Sequence, residues 1–173
     1  MVAPQFTSPT LASDSARHWE ARFGVFAHGL GGREKSTVDL DGEVVSPRLF
    51  ARYTGFWSWF IPRLHLGGSV NLSERTSFAY TGLLWTANFT ERTFFEIFVG
   101  PSVHNGFKDF QPPNMQALGC YVLVHSGFSL GYRLSERWSV LATYQHLSNA
   151  SSLSRCHRNE GLDNLGIRLS YLF

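Results

Sequence analysis

The sequence predicts an all-β protein, namely an eight-stranded antiparallel transmembrane β-barrel of the outer-membrane type. Apolar and polar residues alternate with a period of two along most of the chain, which is typical of strands with two different environments. Charged residues make up 16% and aromatic residues 15% of the 173 residues. No apolar run approaches the ~20 residues that a membrane helix needs. We expect a mobile leader over residues 1–17 and a single barrel over residues 18–173.

The first half of the chain contains four predicted strands. Alternation begins near Trp19, and a glycine-rich basic loop separates this strand from a weaker one over residues 37–46. Residues 63–72 place apolar side chains on one face and polar side chains on the other. After a short polar turn, residues 76–89 form the next strand.

The second half of the chain contains four more strands. Residues 95–103 alternate, and a long polar loop separates them from an apolar row over residues 118–134. A short turn then leads into residues 138–150, and a second long loop precedes the last strand, residues 163–173. Short turns alternate with longer loops, as in the smallest outer-membrane barrels.

The face opposite the apolar rows distinguishes a membrane barrel from a soluble one. A soluble barrel would carry many Lys and Glu residues there, whereas this face holds Gly, Ser, Thr, His and isolated Arg or Glu. Such residues fill a narrow polar lumen, and we expect Arg63 and Glu96 to be partners inside it. Phe173, at the end of an alternating apolar strand, resembles the assembly signal of bacterial outer-membrane proteins. We therefore expect a multi-pass barrel in the bacterial outer membrane.

The composition also argues against several partner classes. The lysines are Lys35 and Lys108, and no basic stripe is interleaved with aromatic residues, so we expect no nucleic-acid partner. There is no Cys-x-x-Cys motif, and we expect neither a metal nor a cofactor. The first residues show no secretory signal.

Residues 138–150 carry the candidate chemistry. Their outward row runs from Trp138 to Tyr144 and then presents His146 and Ser148. Side chains at positions i and i+2 of a strand point the same way, so this imidazole and this hydroxyl can meet. Such a pair is the minimal unit of an activated serine nucleophile, although it also occurs by chance. Because the row faces lipid at the loop end of its strand, we expect a lipid substrate in the outer leaflet.

Two carboxylates compete to orient the imidazole. Asp163 has the outward parity of the last strand and lies beside His146 if the two strands pair. Glu160 lies in the preceding loop, where strand parity does not set its direction. Either acid would otherwise be a solvated loop charge. We predict Asp163 as the acid and keep Glu160 as its competitor.

These residues carry a family resemblance. Residues 146–150, followed by residues 159–163, resemble the active-site region of the PagL-type lipid A 3-O-deacylases. Residues 24–29 and 169–173 are also similar to members of that group. The resemblance implies an outer-membrane barrel that hydrolyses the 3-position acyl ester of lipid A, the anchor of lipopolysaccharide, without a metal.

The resemblance also implies roles for individual residues. The family's His and Ser fall on His146 and Ser148, and its acid, a Glu after an Asn-x-Gly-x motif, falls on the shorter Asp163. The family's next residue is Asn, matching Asn149, but the Gly often found two positions later is Ser151 here. Acyl hydrolysis would then use His146 as the base for Ser148.

Supporting residues are predicted in the outer loops. Asn149 or Asn159 would supply oxyanion donors. The basic residues expected to hold lipid A phosphates, or otherwise to be ordinary solvated charges, are Arg33, Lys35, Arg155 and Arg158.

Two other function classes remain open. One is a non-enzymatic structural or adhesion barrel in which the His–Ser pair is incidental, and the other is a lipid A acyltransferase. A homodimer is also left open.

The two cysteines allow a disulfide. Cys120 follows the long loop after residue 104, and Cys156 lies in the loop between the last two strands, on the same side of the membrane. The outer membrane faces an oxidising space, which permits a bridge. The alternative is two independent thiols, with Cys120 facing lipid.

Overall fold

The chain folds into a closed barrel of eight antiparallel strands, in which β1 is hydrogen-bonded to both β2 and β8. The computed structural model describes residues 17–32, 37–49, 60–109, 115–150, 156 and 160–173. The strands are β1 (Glu20–His28), β2 (Thr37–Arg48), β3 (Arg63–Asn71), β4 (Phe78–Asn88), β5 (Thr93–His104), β6 (Val122–Arg133), β7 (Trp138–Ser148) and β8 (Leu162–Leu172). In the described ranges, no helix has the length and apolar character to cross a membrane.

The period-two pattern gives the barrel wall two distinct faces. Outward side chains are largely apolar and exposed, as Phe23, Leu66 and Ile167 illustrate. Inward side chains are largely polar and buried. This arrangement is the reverse of a soluble barrel, and it suits a wall that faces lipid.

Buried ion pairs fill the lumen. The Arg22 guanidinium contacts the carboxylates of Glu20 at 2.8 Å, Glu96 at 2.9 Å and Glu43 at 3.3 Å. The Arg168 guanidinium contacts Asp41 at 2.8 Å and Glu43 at 3.1 Å. Charges removed from water are tolerated when they are paired and hydrogen-bonded, which is the case here.

The expected pairing of Arg63 with Glu96 is wrong, although both side chains are inside the barrel as predicted. Arg63 contacts Glu20 at 2.7 Å, and Glu96 contacts Arg22. Strand parity determines that a side chain faces the lumen, but it does not determine its height along the barrel axis. The two residues also lie on β3 and β5, which are not neighbours.

The connections depart from strict alternation of short turns and longer loops. Residues 89–92 and 134–137 are short turns at one end of the barrel, and the loops before β6 and β8 are long at the other end. The connection between β2 and β3, however, spans residues 49–62 at the end with the short turns.

The predicted start of the sixth strand is also wrong, because β6 begins at Val122 rather than at Leu118. The backbone N–H of Leu118 donates to the carbonyl of Phe107, so this segment folds within the preceding loop instead of continuing the strand. Leu118 is consequently buried rather than facing lipid. It joins an apolar cluster at the loop end of the lumen, made of Phe78, Tyr80, Leu118, Leu123, Leu147 and Leu162.

Candidate active site

The loop end of β7 carries His146 and Ser148 on the outer face of the barrel. Ser148 is the last residue of the strand, and both side chains are partly exposed. Leu147, between them, points inward and is fully buried in the apolar cluster. This packing holds the strand from the inside, directly beneath the two polar side chains.

Asp163 meets His146 from the neighbouring strand. The two residues are direct cross-strand partners in the β7–β8 ladder. His146 Nδ1 lies 2.7 Å from Asp163 Oδ1, and the two side chains are 36% and 35% exposed. The predicted proximity of these two strands therefore brings the carboxylate to the imidazole.

This contact determines what the imidazole can do chemically. An ionised carboxylate only accepts hydrogen bonds, so Nδ1 must be the donor. In the neutral ring, Nε2 is then left unprotonated and can act as a base. Ser148 follows two residues later on the same face. Within the described residues, no hydrogen bond joins Ser148 to His146.

Glu160, the competing acid, makes other contacts. One oxygen of its carboxylate accepts a hydrogen bond from the backbone N–H of Ala117 at 2.9 Å. Its own backbone N–H donates to the carbonyl oxygen of Ala117 at 3.2 Å. These two bonds tie the start of β8 to the loop that precedes β6.

Two polar neighbours of the pair were not singled out from the sequence. The Tyr144 hydroxyl donates to Asp163 Oδ1 at 2.5 Å, the same oxygen that faces His146. Ser126, on β6, is the direct cross-strand partner of His146. Tyr144 could have been noticed, because it shares the outward face of His146 and Ser148, whereas Ser126 required the strand register.

The absence of a side chain at Gly161 leaves space for the His146 imidazole. The φ angle of Gly161 is +66°, in the left-handed region that favours glycine. A Cβ atom at this position would lie 3.3 Å from His146 Cε1. The turn into β8 therefore passes close to the edge of the His146 ring.

Asn149 lies on the inner side of the chain after β7. Its side chain is buried, and Nδ2 donates to the carbonyl oxygen of Leu118 at 3.4 Å. The following residue, Ala150, has a φ of +46°, so the chain turns sharply directly after the Ser148 region. Asn149 thus links the end of β7 to the β5–β6 loop.

A disulfide joins Cys120 to Cys156, whose Cα atoms are 5.9 Å apart. Cys120 lies before the start of β6 and packs against the apolar cluster of the lumen. The bridge connects the same two loops that Glu160 and Asn149 connect.

Asn159 and the four basic candidates, Arg33, Lys35, Arg155 and Arg158, lie outside the described residues. Among the side chains that are described, no group of three or more His, Cys, Asp or Glu residues is arranged to hold a metal ion.

The described groups suit acyl transfer from an ester. An imidazole in contact with a carboxylate shares the outer face of β7 with a hydroxyl two residues away, and these are the three groups that a serine esterase uses. The surrounding wall exposes apolar residues, including Phe128 on β6 and Leu165 on β8. A substrate with acyl chains could therefore reach the site from the side of the barrel.

A protein-family model matches the chain. The family model described as "Lipid A 3-O-deacylase (PagL)" matches residues 46–172. This range includes all three candidate catalytic residues. No curated protein matches the sequence significantly.

Several solved structures are similar in fold. The crystal structure of the outer membrane enzyme PagL has a TM-score of 0.68 at 15% identity, covering 88% of this chain and 98% of that one. A de novo designed transmembrane β-barrel has a TM-score of 0.56 at 15% identity, covering 90% and 95%. The N-terminal β-barrel domain of Pseudomonas aeruginosa OprF has a TM-score of 0.55 at 11% identity, covering 90% and 98%. At such low identities these likenesses show a shared barrel fold.

Proposed function

Because the chain belongs to the PagL family of lipid A 3-O-deacylases, we propose that it removes the 3-O-linked acyl chain of lipid A by a serine mechanism at His146, Ser148 and Asp163. The family match and the barrel confirm the predicted family, the eight-stranded fold, the ester-hydrolase class and the outer-membrane location. The serine mechanism and the roles of His146, Ser148 and Asp163 in it are what we propose.

The observation that carries the mechanism is the 2.7 Å contact between His146 Nδ1 and Asp163 Oδ1 on the lipid-facing wall. A polar pair that includes a carboxylate is costly on a lipid-facing wall, so its presence there favours a functional role over a structural one. The apolar cluster behind β7 supports this reading, because it holds the backbone of both His146 and Ser148 in place.

The reaction would proceed in two steps. His146 Nε2 takes the proton of Ser148 as the hydroxyl oxygen attacks the ester carbonyl, and Asp163 stabilises the imidazolium that forms. The tetrahedral intermediate collapses, the sugar oxygen leaves with the proton from His146, and an acyl-serine remains. Water, deprotonated by His146, then attacks the acyl-serine and releases the fatty acid.

The loops would complete the site. Asn149 or Asn159 is proposed as the oxyanion donor. Arg33, Lys35, Arg155 and Arg158 are proposed to contact the phosphates of lipid A, since guanidinium and ammonium groups bind phosphate strongly. Entry from the outer leaflet would place these phosphates beside the loops and the acyl chains along the wall.

Mass spectrometry of lipid A, incubated with the purified chain in detergent, tests the proposal. Loss of one 3-hydroxyacyl chain, together with release of the free acid, supports hydrolysis. Gain of an acyl chain would indicate an acyltransferase, and unchanged lipid A would indicate a structural barrel. The His146→Ala protein serves as the control for contaminating hydrolase activity.

A further inference from the structure

We propose that Tyr144 is a positioning residue of the active site, which holds the Asp163 carboxylate in place for His146 through its phenolic hydroxyl. This inference rests on the proposed function, because it assigns Tyr144 a role in the same reaction. The variants of Tyr144 and Ser148 distinguish failure of this positioning role from failure of the serine mechanism.

The geometry places Tyr144 in direct contact with the acid. Tyr144 lies two residues before His146 on the same outward face of β7. Its hydroxyl donates to Asp163 Oδ1 at 2.5 Å, while His146 Nδ1 lies 2.7 Å from that same oxygen. One carboxylate oxygen therefore receives two donors from a single strand.

Two donors restrict the carboxylate more than one can. The Asp163 side chain is 35% exposed, on a wall whose exposed side chains are largely apolar. With His146 as its single donor, the Asp163 Oδ1 atom could shift around the imidazole N–H and still keep the contact. The second bond from Tyr144 removes this freedom, so the imidazole meets an acceptor whose position is set before the reaction begins.

The ring of Tyr144 is held independently of its hydroxyl. It packs against Phe128 on β6 with ring centroids 5.3 Å apart, and its cross-strand partner on β8 is Leu165. A phenylalanine at this position would keep these apolar contacts. The hydroxyl can therefore be removed without disturbing the wall.

The Tyr144→Phe variant tests the role, with Tyr132→Phe as the matched control. Tyr132 is also an outward-facing tyrosine, exposed on β6 at some distance along the wall, and its cross-strand partner is Val140. We expect Tyr144→Phe to lower kcat about ten- to a hundredfold, which is the loss expected from one hydrogen bond to a charged group. The KM for lipid A should stay within about twofold, because the Tyr144 hydroxyl donates its hydrogen bond to Asp163. Tyr132→Phe should match the unmodified enzyme.

Two further readouts separate positioning from a general structural role. Labelling of Ser148 by an alkyl fluorophosphonate reports the activated serine without lipid A, and its rate should fall in Tyr144→Phe by about the same factor as kcat. The heat-induced unfolding temperature, followed by gel migration, should not change. In a double-mutant cycle, adding Tyr144→Phe to Asp163→Asn should have little further effect on kcat, because both changes remove the same interaction.

Each outcome bears on one of the two proposals. A Tyr144→Phe protein with unchanged kcat and labelling rate, or with only a raised KM, overturns the positioning role while leaving the serine mechanism intact. Additive losses in the double variant overturn it as well. If Ser148→Ala retains full activity, the serine mechanism itself fails, whatever Tyr144→Phe does.

Discussion

His146 and Asp163 are direct cross-strand partners, and the imidazole Nδ1 of the first lies 2.7 Å from the carboxylate Oδ1 of the second on the outer face of the barrel. The pairing of β7 with β8 thus creates the contact, without help from a loop. Loops contribute around it, through Gly161, Glu160 and the disulfide.

The nucleophile can be identified by comparing two serines beside His146. Ser148→Ala should abolish deacylation, because the acyl-serine cannot form, and Ser126→Ala should leave activity near normal. Neither change should disturb the heat-modifiable migration of the barrel, since each removes one partly exposed hydroxyl. Deacylation is measured by mass spectrometry of lipid A. Inactive Ser126→Ala with active Ser148→Ala would assign the nucleophile to β6 instead.

Removing the charge of Asp163 should lower turnover far more than removing the charge of Glu160. Asp163→Asn should lower turnover by orders of magnitude, as loss of an orienting carboxylate does in serine enzymes. Glu160→Gln should be mild, because the glutamine oxygen can still accept the hydrogen bond from the backbone N–H of Ala117. Initial rates with purified lipid A decide the ranking, and the reverse order would make Glu160 the acid.

The disulfide should stabilise the loops that flank the site. It closes a segment with a sequence separation of 36 between Cys120 and Cys156. A covalent link over such a segment stabilises a fold by up to about 4 kcal/mol. We expect the Cys120→Ser/Cys156→Ser protein to unfold at a lower temperature and to turn over several-fold more slowly.

A reductant should lower the unfolding temperature and the turnover of the natural protein. It should change neither in the Cys120→Ser/Cys156→Ser protein, which serves as the control. Non-reducing peptide mapping of protein taken from the membrane should recover the two cysteines in one linked peptide pair. Alkylation of both thiols without prior reduction would contradict the bridge.

Gly161→Ala should displace the His146 imidazole and so lower kcat. The new methyl group would lie 3.3 Å from His146 Cε1, at a φ of +66° that disfavours alanine. A displacement of the ring by a few tenths of an ångström should lower kcat by about tenfold, since catalysis is sensitive to small misplacements. Gly42→Ala on β2 is the control, because a Cβ there would meet nothing within 4 Å. Equal kcat values for the two variants would show that Gly161 does not limit the position of His146.

The local pattern of the sequence was enough to predict the barrel and the shared outward direction of His146 and Ser148. Alternation predicted the strands, the lipid-facing apolar rows and the polar lumen, and it predicted that His146 and Ser148 point outward together. Each of these depends on the extended backbone, in which neighbouring side chains point to opposite faces. Where residues only looked alternating, as at Leu118, the prediction failed, because the same pattern can occur in a loop that folds inward.

Local alternation is sufficient to assign the face that a residue occupies within its strand, whereas most contacts between residues of different strands depend on how those strands pair. Parity is a local property of each strand, whereas partner choice depends on register and on closure of the whole barrel. The pairing of Arg63 with Glu20, the tie between Glu160 and Ala117, and the two donors on Asp163 all depend on these long-range constraints. The role proposed for Tyr144 therefore depends on the pairing of β7 with β8, which brings the Asp163 carboxylate to its hydroxyl.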